Sequence, residues 1–224
     1  GRTAVSSYPI HHASHASPGR KAQGGFTLIE LMITVLVGLV LLTLAVPSFD
    51  AAMVSGRING QANELVATLQ LARAEAIRRN VRVVVCPSVN GTSCAAATAN
   101  WNGWVAFVDD GGYSHSWAAG VAANANNGTV DANETILRSG LVPSNVTVTT
   151  SSNISGNAGG AVIFNSDGLA RTNAGLLLSG RIGVCVATVH PPENARNVMI
   201  NSGGRIAVER AVNATCAAPG NASS

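Results

Sequence analysis

An apolar stretch near the N-terminus is the strongest pattern in the sequence. It runs from Phe26 to Val46 and holds 21 residues with a single charge, that of Glu30. As an α-helix these residues would span about 31 Å, the thickness of the hydrocarbon core of a bilayer. The pattern therefore predicts a transmembrane helix over residues 26–47.

A second helical pattern follows over residues 48–80. Its apolar residues recur in steps of 4-3-4-3-4 on one helix face, at Ile58, Ala62, Leu65, Leu69, Ala72 and Ala76. Gly56 and Gly60 each weaken a helix by about 1 kcal/mol relative to alanine, so we expect a continuous helix only from about Ile58 to Asn80. A β-rich region follows directly, and the apolar face is expected to cover it. The arginines at 78, 79 and 82 are interpreted as a solvated helix end.

Short β-branched segments dominate residues 81–224. The strand candidates are 81–85, 104–108, 135–138, 146–150, 161–164, 183–187, 197–200 and 205–208, each bounded by Gly, Asn, Ser or Pro. Residues 109–133 are polar and are predicted to form an exposed loop. Strands and helices do not alternate, which favours antiparallel pairing and an α+β fold.

The positive net charge of the chain is confined to its N-terminal residues. The chain is 46% hydrophobic and 11% charged, which excludes intrinsic disorder. Its formal charge of +3 arises entirely within residues 1–25, because eleven arginines balance eleven acids from Phe26 onward. Residues 1–25 are therefore interpreted as a leader. Arg20 and Lys21 predict that the leader side of the membrane helix is cytoplasmic and that the rest is exported.

Two other membrane-targeting interpretations fit less well. A secretory signal would have a shorter apolar core with its cleavage site after it, whereas Gly24-Gly25 precedes the core here. An uncleaved signal anchor explains length and orientation but gives no reason for Glu30. A carboxylate in a membrane helix is costly and is by default functional.

The run Gly25-Phe26-Thr27-Leu28-Ile29-Glu30-Leu31 resembles the type IV prepilin signature. The resemblance implies that a prepilin peptidase cleaves after Gly25 and methylates the new amine of Phe26. It also implies that Glu30 neutralises the N-terminal amine of a neighbouring subunit during assembly, since two charges that are costly in hydrocarbon offset each other when paired. Pro47 matches the position at which the family's helix kinks or locally melts, and proline removes a helical hydrogen bond.

All four cysteines lie in the exported part, where an oxidising compartment favours disulfides. Three pairings are possible. We favour Cys86–Cys94, which closes a short loop, and Cys185–Cys216, which ties the tail to a core strand. A zinc site would need closely spaced cysteines with histidines, and this pattern is absent from the sequence.

Later motifs resemble the GspH/FimT family of minor pilins and pseudopilins. They are Cys86-Pro87-Ser88 with Cys94, the run from Trp101 to Asp109, Asp131 with Glu134 to Arg138, and Phe164 to Ala170. The similarity covers most of residues 26–216 and is greater to the FimT/FimU branch of type IV pili than to the GspH branch of type II secretion, chiefly through the cysteine loop and the tryptophan motif.

The resemblance implies a pilin fold and a minor pilin, with a type II secretion pseudopilin as the alternative. It places the protein in the bacterial inner membrane as a single-pass subunit with a periplasmic C-terminal domain that joins a pilus or pseudopilus. The implied partners are other pilins or pseudopilins, prepilin peptidase, the inner-membrane assembly platform and the lipid bilayer.

Sequence signals for catalysis or metal binding are sparse. The exported part has two histidines, His115 and His190, and no nucleophile elbow or HExxH motif, so neither an enzyme nor a cofactor is predicted. Four acidic residues could surround a calcium ion: Asp109, Asp110, Asp131 and Glu134. EF-hand spacing is absent and Asp109-Asp110-Gly111-Gly112 also fits an ordinary turn, so no metal site is predicted.

DNA capture is a further alternative. Some FimT-like pilins bind DNA through a C-terminal Gly-Arg-x-Arg motif, whose second arginine is missing from Gly204-Arg205-Ile206-Ala207. The candidate residues here are Arg196, Arg205 and Arg210. On a strand, Arg205 and Arg210 would face opposite sides. Because phosphate binding recruits several cations, DNA binding ranks below assembly.

Overall fold

The computed structural model describes residues 24–96, 99–111 and 125–222, and the chain divides into two compact units, residues 1–45 and 46–224. Helix α1 spans Leu28–Arg79. The leader lies outside the described residues except for Gly24 and Gly25, so its cleavage stays a prediction.

In the first unit, α1 begins after Thr27. The Thr27 hydroxyl accepts a hydrogen bond from the backbone N–H of Glu30 (3.2 Å), and the Thr27 carbonyl accepts one from the N–H of Leu31 (3.1 Å). Thr27 is therefore the N-cap, and its side chain satisfies one of the first-turn N–H groups that lack a helical partner. The large apolar side chains that follow, up to Leu42, are all at least 49% exposed.

In the second unit, the predicted apolar stripe of α1 is buried. All six stripe residues, from Ile58 to Ala76, are at most 1% exposed and belong to the main core. The prediction that α1 covers its own β-rich domain is confirmed. The helix ends within one residue of the predicted position: Asn80 takes a left-handed conformation (φ 56°), and the N–H of Val81 bonds the carbonyl of Ala76.

The predicted start of the second helix is wrong, because α1 is helical through residues 48–57 as well. Gly56 and Gly60 lie inside the helix with open space where a side chain would be. A cost of about 1 kcal/mol each does not break a helix that is continuous on both sides, since extending a helix needs no new nucleation. Pro47 also lies within α1, and the kink there stays a prediction.

The β-rich domain forms two antiparallel five-stranded sheets. Its strands are β1 Val83–Pro87, β2 Asn100–Trp101, β3 Gly103–Val108, β4 Ile136–Leu141, β5 Thr147–Thr150, β6 Val162–Phe164, β7 Ala170–Arg171, β8 Gly180–Cys185, β9 Ala195–Ile200 and β10 Ile206–Ala211. Sheet I has the order β4-β3-β1-β6-β7 and sheet II the order β10-β9-β8-β5-β2. A short helix, α2 (Ser152–Ser155), and a 3₁₀ helix (Ala158–Gly160) join β5 to β6. The α+β fold class is confirmed.

A buried hydrogen bond joins α1 to sheet I. The indole Nε1 of Trp104 donates to the hydroxyl of Thr68 over 3.2 Å, and both residues are fully buried. Trp104 packs over Gly140 of β4, where an added Cβ would lie 2.6 Å from the indole ring. The tryptophan motif therefore fixes the helix against the sheet through both a polar and a packing contact.

Replacing Thr68 with valine is expected to lower the free energy of unfolding by about 2 kcal/mol, because the buried indole N–H then lacks an acceptor. Denaturant unfolding of the full chain in detergent measures the change. The control is Thr92→Val, in the exposed cysteine loop, which should change stability by less than about 0.5 kcal/mol. Equal stability of the two variants would contradict this account of Trp104.

Candidate functional site

The N-terminal part of α1 carries the first candidate site. It is long and apolar enough to cross a membrane by length and composition. Phe26 is 82% exposed, and Glu30 is the one acidic residue of the first helical turn. Water-soluble proteins rarely expose a continuous apolar surface of this length. Such a surface marks contact with lipid or with another protein.

The loop between Cys86 and Cys94 forms a second, rigid feature. The predicted disulfide is present. The hydroxyl of Ser88 accepts a hydrogen bond from the N–H of Gly91 (2.9 Å) and donates to the carbonyl of Ser93 (2.7 Å). The side-chain oxygen of Asn90 accepts hydrogen bonds from the backbone N–H groups of Thr92 and Ser93. The loop is thus held by its own side chains while Val89 is 63% exposed.

Arg82 and Asp109 form a buried ion pair, so the interpretation of Arg82 as part of a solvated helix end is wrong. Arg82 Nε lies 3.1 Å from Asp109 Oδ2, with the side chains 13% and 0% exposed. Asp109 also accepts hydrogen bonds from the N–H groups of Asn127 and Gly128. Burial raises the pKa of the Asp109 carboxyl, against the opposing effect of Arg82 and these amides.

The other two helix-end arginines do lie at the surface. Arg78 and Arg79 both bond Glu75, at 2.6 and 2.7 Å. Their hydrogen bonds lower the pKa of Glu75 to about 2. Because the folded-state pKa is lowered, this contribution to stability is present above the ordinary pKa of the carboxyl and is lost as the pH falls toward about 2.

The acidic residues near Asp109 accept hydrogen bonds from protein N–H groups. Glu134 accepts hydrogen bonds from the N–H groups of Gly111 and Asp131, each at 3.0 Å. Asp131 accepts from the side chain of Asn127. Within the described residues, no three His, Cys, Asp or Glu side chains are grouped in a way that could hold a metal ion.

The second predicted disulfide, Cys185–Cys216, holds the C-terminal tail on the outer face of sheet II. Beyond it, Pro219 packs on Gly183, and Arg181 donates to the carbonyl of Asn221 (2.7 Å). The absence of a side chain at Gly183 allows this approach. The predicted disulfide already tied the tail to a core strand, but the contacts of Pro219 and Asn221 beyond it were not predicted, because the tail has no periodic apolar pattern.

The three arginines proposed for DNA binding do not form one open surface. Arg196 is only 6% exposed, so at most one edge of its guanidinium can meet a ligand, and its role in DNA binding stays a prediction. Arg210 is exposed but lies 3.3 Å from Glu193. Arg205 is exposed in the turn before β10. The alternation of β9 could have indicated the burial, since Arg196 is two and four residues before core residues Val198 and Ile200.

Two family models match parts of this chain, and solved structures of two kinds are similar to it. Residues 61–204 match the family described as Type II transport protein GspH, and residues 20–46 match the Prokaryotic N-terminal methylation motif. One similar solved structure is the type IV minor pilin FimU of Pseudomonas aeruginosa, with 19% identity, a TM-score of 0.40, and coverage of 67% of this chain and 91% of that one.

Another similar solved structure is the minor pseudopilin EpsH from the Type 2 Secretion System of Vibrio cholerae, with 10% identity, a TM-score of 0.43, and coverage of 69% of this chain and 97% of that one. No curated protein matches the chain. The GspH match covers more than half of the sequence. The chain therefore belongs to the GspH family and carries an N-terminal methylation motif ahead of its family domain.

Proposed function

We propose that this chain is a non-enzymatic minor pilin that enters a type IV pilus after its leader is removed and Phe26 is methylated. One observation carries the proposal. The same helix, α1, has an exposed apolar part that begins with a single acid and a second part whose apolar stripe is fully buried in the β-domain. A helix that served only the domain core would not need the exposed apolar N-terminal part.

The exposed part anchors the chain in a membrane. Its residues are apolar on all sides, which suits lipid contact. The basic residues of the leader favour a cytoplasmic N-terminus, so the disulfide-bonded domain would lie in the periplasm. Both disulfides support this orientation, because such bonds persist in an oxidising compartment.

Assembly would use Glu30 and the apolar surface around it. When a subunit leaves the bilayer for a filament, its apolar surface exchanges lipid for neighbouring helices. The Glu30 carboxylate then pairs with the methylated amine of an adjacent subunit, and the pair offsets the cost of placing either charge alone in hydrocarbon. Thr27 caps the helix beside this pair and satisfies one first-turn N–H group.

A pseudopilin of a type II secretion system is the second candidate, and the match to the GspH family favours it. The two candidates share the fold and the membrane chemistry, and they differ in the filament that they join. A strain that lacks the chain separates them: the proposal predicts fewer surface pili, normal protein secretion, and the complemented chain in sheared pili. Normal pili with a loss of secretion would instead identify a pseudopilin.

A further inference from the structure

Arg196 is a buried cation without a carboxylate partner. It lies on β9, where its Nε donates to the side-chain oxygen of Asn59 on α1 (2.8 Å). Its Nη1 donates to the carbonyls of Glu193 (3.1 Å) and Ala195 (2.8 Å). All three acceptors are neutral, and no carboxylate oxygen of the described residues lies within 4.0 Å. An uncompensated buried charge is costly, so its retention needs an explanation.

One donor group of Arg196 is left open. Within the described part of the chain, Nη2 has no hydrogen-bond partner, yet it is not among the enclosed side-chain atoms that lack one. Nη2 therefore reaches the solvent although the residue is 6% exposed. The other donors hold the guanidinium in place, so this edge is preorganised to accept a ligand at little entropic cost.

A second arginine and an apolar side chain flank this opening. Arg210 is the direct cross-strand partner of Arg196, and Val208 is two residues before it, so all three lie on the same face. The Arg210 side chain is 73% exposed, and Val208 is 43% exposed. Glu193 lies 3.3 Å from Arg210 and is half exposed. These residues, Glu193, Arg196, Val208 and Arg210, are called the Arg196 cluster and carry two positive charges against one negative charge.

We propose that the Arg196 cluster binds a carboxylate side chain of a second filament subunit, an inference that rests on the proposed function. The open Nη2 carries two N–H donors on a positively charged group, and a carboxylate oxygen accepts such a donor in a charge-assisted hydrogen bond. A recessed single donor suits one projecting Asp or Glu side chain, and Val208 supplies the apolar contact usual beside such pairs in protein interfaces. Nucleic acid fits poorly, because its phosphates are continuous and Glu193 would repel them.

A bracing role for Arg196 makes a different prediction. If the arginine served only to hold Asn59 and so join α1 to sheet II, Asn59→Ala would remove the same function as Arg196→Gln. If it binds a carboxylate, the charge matters and Asn59→Ala leaves binding in place. Arg205 is the matched control, because it is an exposed arginine of the same hairpin outside the cluster.

The experiment places a photoreactive benzophenone amino acid at position 208 of the full chain in cells that assemble the filament. Irradiated membranes should contain a covalent adduct with another pilin-like subunit, and mass spectrometry should locate the cross-link near an Asp or Glu of that subunit. Arg196→Gln is expected to reduce the adduct at least about tenfold. Arg210→Gln should reduce it by a smaller factor, and Arg205→Gln and Asn59→Ala should leave it unchanged.

Formation of the Cys185–Cys216 disulfide serves as the folding control for each variant. Arg210→Gln tests the cluster at an exposed position, where a substitution does not disturb the core. The adduct should also weaken in isolated membranes as salt rises from about 0.05 M to about 0.5 M, since exposed ion pairs are screened. Absence of the adduct, or equal loss in Asn59→Ala and Arg196→Gln, overturns the inference. If the adduct forms but the chain is missing from sheared filaments, the proposed function fails, while the contact between the Arg196 cluster and a carboxylate of that pilin-like subunit stands.

Discussion

Replacing Glu30 with glutamine is expected to leave membrane insertion intact and to reduce the amount of the chain in filaments about a hundredfold. Glutamine keeps the size of the side chain but removes the negative charge. The amine of the adjacent subunit then has no partner in hydrocarbon, where an unpaired charge costs about 3 kcal/mol or more, which corresponds to about two powers of ten in an equilibrium. The measurement is the ratio of the amount of the chain in sheared filaments to its amount in membranes.

The control for Glu30 is Asp50→Asn, another single carboxylate on an exposed position of α1. It should change incorporation less than about twofold, because a solvated carboxylate contributes little. Equal membrane levels of both variants show that insertion is unaffected. Normal incorporation of the Glu30→Gln chain would remove the assembly role of this carboxylate.

Replacing Arg82 with methionine is expected to lower the free energy of unfolding by about 3 kcal/mol at neutral pH. Asp109 is fully buried and would keep its backbone hydrogen bonds but lose its counter-ion. Removing one partner of a buried ion pair leaves an uncompensated charge, which is why the loss is large. Arg82 also donates hydrogen bonds to the carbonyl of Asn126 and the side chain of Asn173. The variant loses both of these hydrogen bonds as well.

The pH dependence of the Arg82→Met variant gives a second test. Burial already raises the pKa of Asp109, and removal of Arg82 raises it further. A group whose folded-state pKa is raised contributes stability at low pH that is lost as the pH rises through that pKa. The difference from the wild-type chain should therefore be smaller at about pH 5 than at about pH 8, as denaturant unfolding can show.

The control for Arg82 is Arg171→Met, which breaks another Arg–Asp pair. Its partner, Asp167, is 40% exposed, and the bond length is 2.6 Å. A pair of this kind contributes about 1 kcal/mol or less despite its good geometry, because water solvates both charges when they separate. A loss as large as that for Arg82→Met would show that burial does not set the size of the effect.

The periodic features of the fold could be predicted from sequence, because burial imposes them directly. The stripe from Ile58 to Ala76 has helical spacing only because those residues face the sheets. All eight predicted strands overlap observed ones, because short β-branched runs bounded by turn residues are a local signal of strands. Strands β2 and β7 were missed, because two residues are too few to show any period.

The polar contacts of the site could not be predicted, because they depend on the register between distant strands. Arg82 meets Asp109 only because Val83 pairs with Val108. Arg196 meets Asn59 across 137 residues of sequence. Gly25, Phe26 and Glu30 could be singled out because their signal is local: a glycine, a new N-terminus and one acid beside an apolar run.

The most direct test of the central claim is the N-terminal residue of the chain in sheared filaments, identified by mass spectrometry. A minor pilin should begin at Phe26, carry a methyl group on its amine and be present in the filament fraction. A chain that retains residues 1–25, or that begins at Phe26 but stays in the membrane while filaments assemble normally, would contradict the proposed function.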